Sequence, residues 1–116
     1  MRDFQKLIIW QKGHQLTLKI YNITSSFPKE ELYGIISQMR RSSSSIPTNI
    51  AEGCGHNSNA EMKRFLAISS ASASELEYQI ILSKDLGYIS ENCFQELLTF
   101  VTDLKKILHS FIKNIK

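Results

Sequence analysis

The segment Gly34–Gly55, GIISQMRRSSSSIPTNIAEGCG, limits what this chain can fold into more than any other part of it. Its serine run, Ser42–Ser45, and its internal Pro47 are the composition of a linker, yet the residues keep helical phase. Ile36, Met39, Ser43, Ile46, Ile50 and Cys54 recur at steps of three and four on one narrow stripe, with Arg41, Thr48 and Glu52 opposite. A disordered Ser-rich tract shows no such phase. The pattern predicts a buried helix that continues through Pro47 and kinks there. Proline removes one backbone donor and crowds the carbonyl four residues earlier, at about 3 kcal/mol in a free helix interior. That carbonyl belongs to Ser43, whose own hydroxyl is expected to help satisfy the freed groups.

Three further helical segments flank this one. In the first, Trp10, His14, Thr17 and Tyr21 share a face, with Leu16, Ile20 and Ile23 beside it, and Pro28 marks the exit. The connector Pro28–Gly34 is expected to be a tight turn carrying Leu32 and Tyr33 inward. The third segment opens on Ser58-Asn59-Ala60-Glu61, which fits a capping box. Its stripe is Met62, Phe65, Leu66, Ser69, Ser72, Ala73, Leu76, Ile80 and Ser83, so rich in small residues that a neighbouring helix can approach closely, and Leu86-Gly87 stops it. Ser90 caps the fourth, where Phe94, Leu97, Leu98, Val101, Leu104, Leu108, Phe111, Ile112 and Ile115 follow coiled-coil-like spacing. Helices at about 9–25, 35–54, 59–86 and 91–113, joined by short loops, predict an all-α, antiparallel up-down-up-down four-helix bundle in a single domain spanning 1–116. The small-residue stripes on the second and third helices suggest more packing face than one core needs, and hence a homo-oligomer.

Charge is unevenly spread. Residues 1–58 hold seven Lys/Arg against four Asp/Glu, residues 59–116 hold seven of each, and no acid follows Asp103, where Lys105, Lys106, Lys113 and Lys116 lie. Such clusters serve either as ordinary solvated faces and helix-end cations or as a surface for nucleic acid. The two cysteines, Cys54 and Cys93, lie on different helices at no metal-like spacing, which points to reduced, buried thiols and a cytoplasmic location. The apolar run near the N-terminus is too short for a signal peptide or a membrane span.

Catalytic chemistry finds no support in the motifs. Glu52 and His56 are four apart with Cys54 between them, but dimetal bundles need Glu-x-x-His on two helices, so no metal and no cofactor is expected. Neither a nucleophile elbow nor a phosphate-cradling glycine loop is present. Arg40 and Arg41 carry the most interest: Arg41 points outward, and Arg40 lies at the edge of the buried stripe. Arg40 is either a partner for a carboxylate such as Glu75, Glu77 or Glu52, or a phosphate contact together with Arg41, Lys12, Lys63 and Arg64. Trp10 is expected to anchor a core or interface rather than to stack on bases, and Pro47, Asn49 and Glu52 to be structural or interface residues.

FQKLIIWQKGHQL, YNITSSFPKEELYGIISQMRRSSSSIPTNIAEGCG and FLAISSASASELEYQIILSKDLGYI together resemble the four-helix-bundle proteins encoded within intervening sequences of bacterial 23S ribosomal RNA genes. The likeness covers roughly residues 4–110 and is most specific at Trp10-Gln11-Lys12, Phe27–Glu31, Arg40-Arg41, Ile46-Pro47 with Asn49–Gly53, Arg64–Leu66 and Glu75–Glu77. It departs from that pattern at Ser42–Ser45 and at His56-Asn57. The resemblance implies a closed ring of five subunits. It also implies kinship with an accessory protein of diversity-generating retroelements, whose basic surface binds a reverse transcriptase and nucleic acid. The expected function is therefore a non-enzymatic, ring-forming bundle whose basic surface contacts RNA or an RNA-bound protein, such as a reverse transcriptase or a ribosome-associated protein. The alternative is a scaffold docking a partner enzyme without nucleic-acid contact.

Overall fold

The computed structural model describes residues 2–116, which form four helices: α1 (Ile8–Thr24), α2 (Ser37–Cys54), α3 (Asn59–Asp85) and α4 (Glu91–Lys113). Paired residues show how they run. Gly13 meets Ile46, Thr17 meets Ser43, and Arg40 reaches Tyr21 and Thr24, so α1 and α2 are antiparallel. Ser45 with Ser72, Ser42 with Gln79 and Met39 with Ser83 give the same sense for α2 and α3. Glu77 with Lys105 and Lys84 with Glu91 repeat it for α3 and α4, and Lys19 with Glu96 closes α1 on α4. The bundle measures 43 × 24 × 20 Å.

The helix ends follow their sequence signals. Ser58 Oγ accepts from the Glu61 amide at 3.1 Å, and Ser90 Oγ from the Cys93 amide at 3.1 Å. The reciprocal half of the capping box is not made, because the Glu61 carboxylate turns to Arg64 instead. Gly87, at φ 79°, ends α3 with its amide bonded to the Lys84 carbonyl and that of Tyr88 to the Ser83 carbonyl, each at 2.9 Å.

α2 passes through Pro47 without interruption, as the phase of its stripe predicts. The compensation differs from the expected one. The Ser43 hydroxyl donates to the Arg40 carbonyl at 3.2 Å, while the Ser43 carbonyl lies 2.9 Å from Thr17 Oγ1 of α1, whose one proton it shares with the Gly13 carbonyl at 3.0 Å. The gap left by proline is thus filled by a neighbouring helix. Gly13 makes this approach possible: a Cβ there would stand 3.2 Å from Ile46 Cγ2.

Three expectations are corrected. The buried face of α1 is Ile9, Gly13, Leu16, Thr17, Ile20 and Thr24, so Trp10, His14 and Tyr21 lie at its rim. Leu32 and Tyr33 do not point inward but are 48% and 93% exposed. Phe27 occupies the interior instead, against Tyr88, whose hydroxyl donates to Glu31 at 2.8 Å and pins the connector. A π-helical turn, Leu32–Ile36, with Gly34 outside helical geometry, then delays the regular start of α2 to Ser37. Lastly, the small residues of α2 and α3 pack on one another within the chain, so they do not constitute surplus face.

Candidate nucleic-acid interface

Arg40 and Arg41 leave the first turns of α2 beside the C-terminal end of α1. Arg40 lies 4.8 Å from the centroid of the Tyr21 ring. Its Nε donates to Thr24 Oγ1 at 2.9 Å, and a terminal N–H donates to the Tyr21 carbonyl at 3.3 Å. That carbonyl is among the last four of α1, where a cation also complements the helix dipole. Arg40 is therefore an internal clamp. Its partner is a helix end and an aromatic face, not a carboxylate: Glu77 takes Lys105 at 2.8 Å, and Glu75 accepts from Gln79 at 3.4 Å.

Arg41 is exposed and makes no ion pair or side-chain hydrogen bond among the described residues. It shares with Arg40 a cleft of about 450 Å³ walled by Tyr21, Tyr33, Ser37 and Ser44. Ser44 also lines the next cleft along the α1–α2 groove, of about 630 Å³, which contains Trp10, His14, Pro47, Glu52 and His56. Trp10 is half-buried there, stacked on His14 at 5.0 Å and edge-on to Phe4 at 5.1 Å. Glu52 is exposed on the groove wall. Asn49 is directed elsewhere, its Nδ2 donating to the Ser45 carbonyl at 2.8 Å and to Ser45 Oγ at 2.9 Å.

The remaining sequence-selected cations do not join this cleft. Arg64 pairs with Glu61 at 2.7 Å and lies 4.4 Å from the Phe65 ring centroid, a ring on which His56 also stacks. The Arg64 hydrogen bond holds the Glu61 carboxyl below the usual carboxylate range. Lys63 is half-buried on α3. Lys12 is on the α1–α4 side, 5.7 Å from the centroid of Phe100. The five cations are thus scattered, and only Arg40 and Arg41 form a pair.

Sequence reasoning missed Tyr21 and Tyr33 as neighbours of those arginines. Tyr21 shares a face with Trp10, His14 and Thr17 in the sequence, but nothing in that spacing places it beside Arg40. The basic cluster near the end of the chain is legible in the sequence, but the groove between α3 and α4 that Lys105, Lys106 and Lys113 line together with His109 is set by the packing of the two helices. Among the described residues no three His, Cys, Asp or Glu side chains converge as a metal site, and no helix is long and apolar enough to cross a membrane. Cys54 is buried and Cys93 half-buried. Both are free thiols, and burial raises the pKa of each.

The sequence matches the family described as 23S rRNA-intervening sequence protein over residues 5–110. The chain belongs to that family. A crystal structure at 1.70 Å of a protein of unknown function from the S23 ribosomal protein family of Bacteroides thetaiotaomicron VPI-5482 shares the fold. It has a TM-score of 0.83 and 25% identity, over 92% of this chain and 100% of that one. No protein of curated function matches the chain. The family description and the similar solved structure name no reaction.

Proposed function

We propose that this family member is a non-enzymatic bundle that assembles into a closed ring of five subunits and contacts RNA through its basic surface. The observation that carries the RNA contact is the Arg40–Arg41 cleft. Arg41 is exposed and unpaired among the described residues, Arg40 is fixed beside it, and Tyr33 is 93% exposed at the rim. A guanidinium beside an open aromatic face suits a phosphate with a neighbouring unstacked base, without reading sequence.

Ring assembly is supported by where large apolar side chains remain exposed. Ile8 and Leu18 lie on α1 at 59% and 56% exposure, and Tyr78 and Ile68 on α3 at 61% and 39%. These helices sit diagonally in the bundle, so a contact between them joins two different patches. Such a heterologous contact is the kind that closes rings. The same side chains favour, as a second reading, a scaffold that docks a partner protein without nucleic acid.

Fluorescence anisotropy of labelled RNA and DNA single strands, titrated through rising salt, tests the contact. Binding is expected to be sequence-tolerant, with a log–log salt slope of roughly 0.7 per phosphate neutralised. Arg41→Ala should weaken all sequences about equally. Absence of binding at low salt rejects the RNA reading and leaves the scaffold, and a stable monomer by light scattering at micromolar concentration rejects the ring.

A further inference from the structure

The second half of α4 carries a cationic groove that neither helix capping nor internal pairing uses up. Lys105, Lys106, His109 and Lys113 line a cavity of about 580 Å³ between α3 and α4, together with the hydroxyl residues Ser70 and Ser110. The one carboxylate in it, Glu77, is occupied by Lys105 at 2.8 Å, both being largely covered. Lys106 and Lys113 are exposed and make no ion pair among the described residues, and Asp103, one turn before Lys106, does not reach it. The hydroxyls of Ser70 and Ser110 make no hydrogen bond within the described residues, which leaves donors facing the same space.

Ordinary helix-end stabilisation does not account for this arrangement. The dipole acts within the last turn of a helix, so it rationalises Lys113 but not Lys106, two turns further in. From Lys106 to Lys113 the helix rises roughly 10 Å, more than one phosphate group can bridge. Lysines at i and i+7 along one edge, with the ring N–H donor of His109 at i+3 between them, match a run of phosphates instead. The groove also lies apart from the Arg41 cleft. It is on the α3–α4 side, level with the middle of α3, whereas Arg41 is on the α1–α2 side near the end of α1.

We propose that the α3–α4 groove is a second, independent contact for the phosphodiester backbone of a single strand, so that each subunit holds two separate strand segments. This rests on the reading that the protein binds nucleic acid. Lys106 and Lys113 supply the charge, and His109, Ser70 and Ser110 supply hydrogen-bond donors.

Calorimetric titration of a short single-stranded RNA oligomer at low salt reads the number of sites directly. The wild-type chain is expected to bind two oligomers per subunit. Lys106→Glu/Lys113→Glu is expected to lose one of them and keep the other, and Arg41→Glu to lose the complementary one. With a longer strand, Lys106→Ala/Lys113→Ala should lower the log–log salt slope by roughly 1.4, two phosphates at about 0.7 each. All substituted side chains are exposed, and an unchanged melting curve verifies the fold. If the wild type binds and the Lys106/Lys113 variants keep both its stoichiometry and its slope, the second site is overturned while RNA binding stands. If the wild type binds no oligomer at all, both are overturned.

Discussion

Between α2 and α3 serine hydroxyls bridge the helices alongside the apolar packing, whereas α4 meets the core with Phe94, Leu97, Val101, Leu104 and Leu108. On the first side Ser45 and Ser72 lie 2.8 Å apart, Ser69 Oγ donates to the Ile46 carbonyl at 2.9 Å, and Ser42 Oγ donates to Gln79 Oε1 at 2.6 Å. Ser69 and Ser83 are fully buried there, yet no buried side-chain polar atom among the described residues lacks a partner. Small side chains bring two backbones close, and closeness lets short hydroxyls reach carbonyls across the interface. Where α4 packs, side-chain volume alone holds the buried face, with no buried hydroxyl in it. One bundle thus uses proximity on one flank and bulk on the other, and the two should fail in opposite ways.

The largest effect should come from removing bulk. Leu104→Ala, at a position with no exposure, is expected to cost ~2–5 kcal/mol in chemical denaturation. An equivalent loss from Ser69→Ala would erase the contrast. Adding bulk comes next: Ser69→Leu should cost ~1–3 kcal/mol by overpacking, whereas Leu104→Met should cost less than about 1.5 kcal/mol.

The third test targets the proline. Thr17→Val keeps the shape but leaves the Ser43 carbonyl without its donor, at ~1–3 kcal/mol. In a Pro47→Ala background the restored amide can serve that carbonyl, so the Thr17→Val penalty should shrink; equal penalties in both backgrounds would show that Thr17 does not compensate for proline.

The smallest effect is chemical rather than energetic. Cys54 reports on α2 and Cys93 on α4, and burial lifts both thiols above their ordinary range. Each is thus protonated, and slow toward a thiol reagent, at neutral pH, gaining reactivity only as pH rises through its raised pKa. Cys54, 2% exposed, should remain the slower of the two in the native state; the reverse order would mean that the α2 end opens more readily than α4.

Much of the fold was legible along the chain, because period and end signals are local. The Ser42–Ser45 run could be recognised as helix only by the phase of its neighbours, and the structure shows how serine tolerates it: Ser42, Ser43 and Ser44 each have a hydroxyl within hydrogen-bonding reach of the carbonyl three residues back. The candidate site was far less legible. Lys12, Lys63 and Arg64 share charge with Arg40 and Arg41, but charge carries no direction, and the five residues come from three helices whose rotations decide where each points. Tyr33 was misplaced for a related reason. A connector has no period, and whether Phe27 or Tyr33 fills the interior depends on Tyr88, 55 residues or more along the chain.

The sequence by itself determined four helices, their caps, the passage of α2 through Pro47 and the family to which the chain belongs. Tertiary structure alone decided which donor satisfies the Ser43 carbonyl, that Arg40 closes the end of α1 rather than pairing with a carboxylate, and that the free lysines of α4 face a groove of their own. The division follows from range. Helical phase and capping are settled within a few residues. A hydrogen-bond partner or an unpaired charge is settled only when distant segments are brought within a few ångströms of each other.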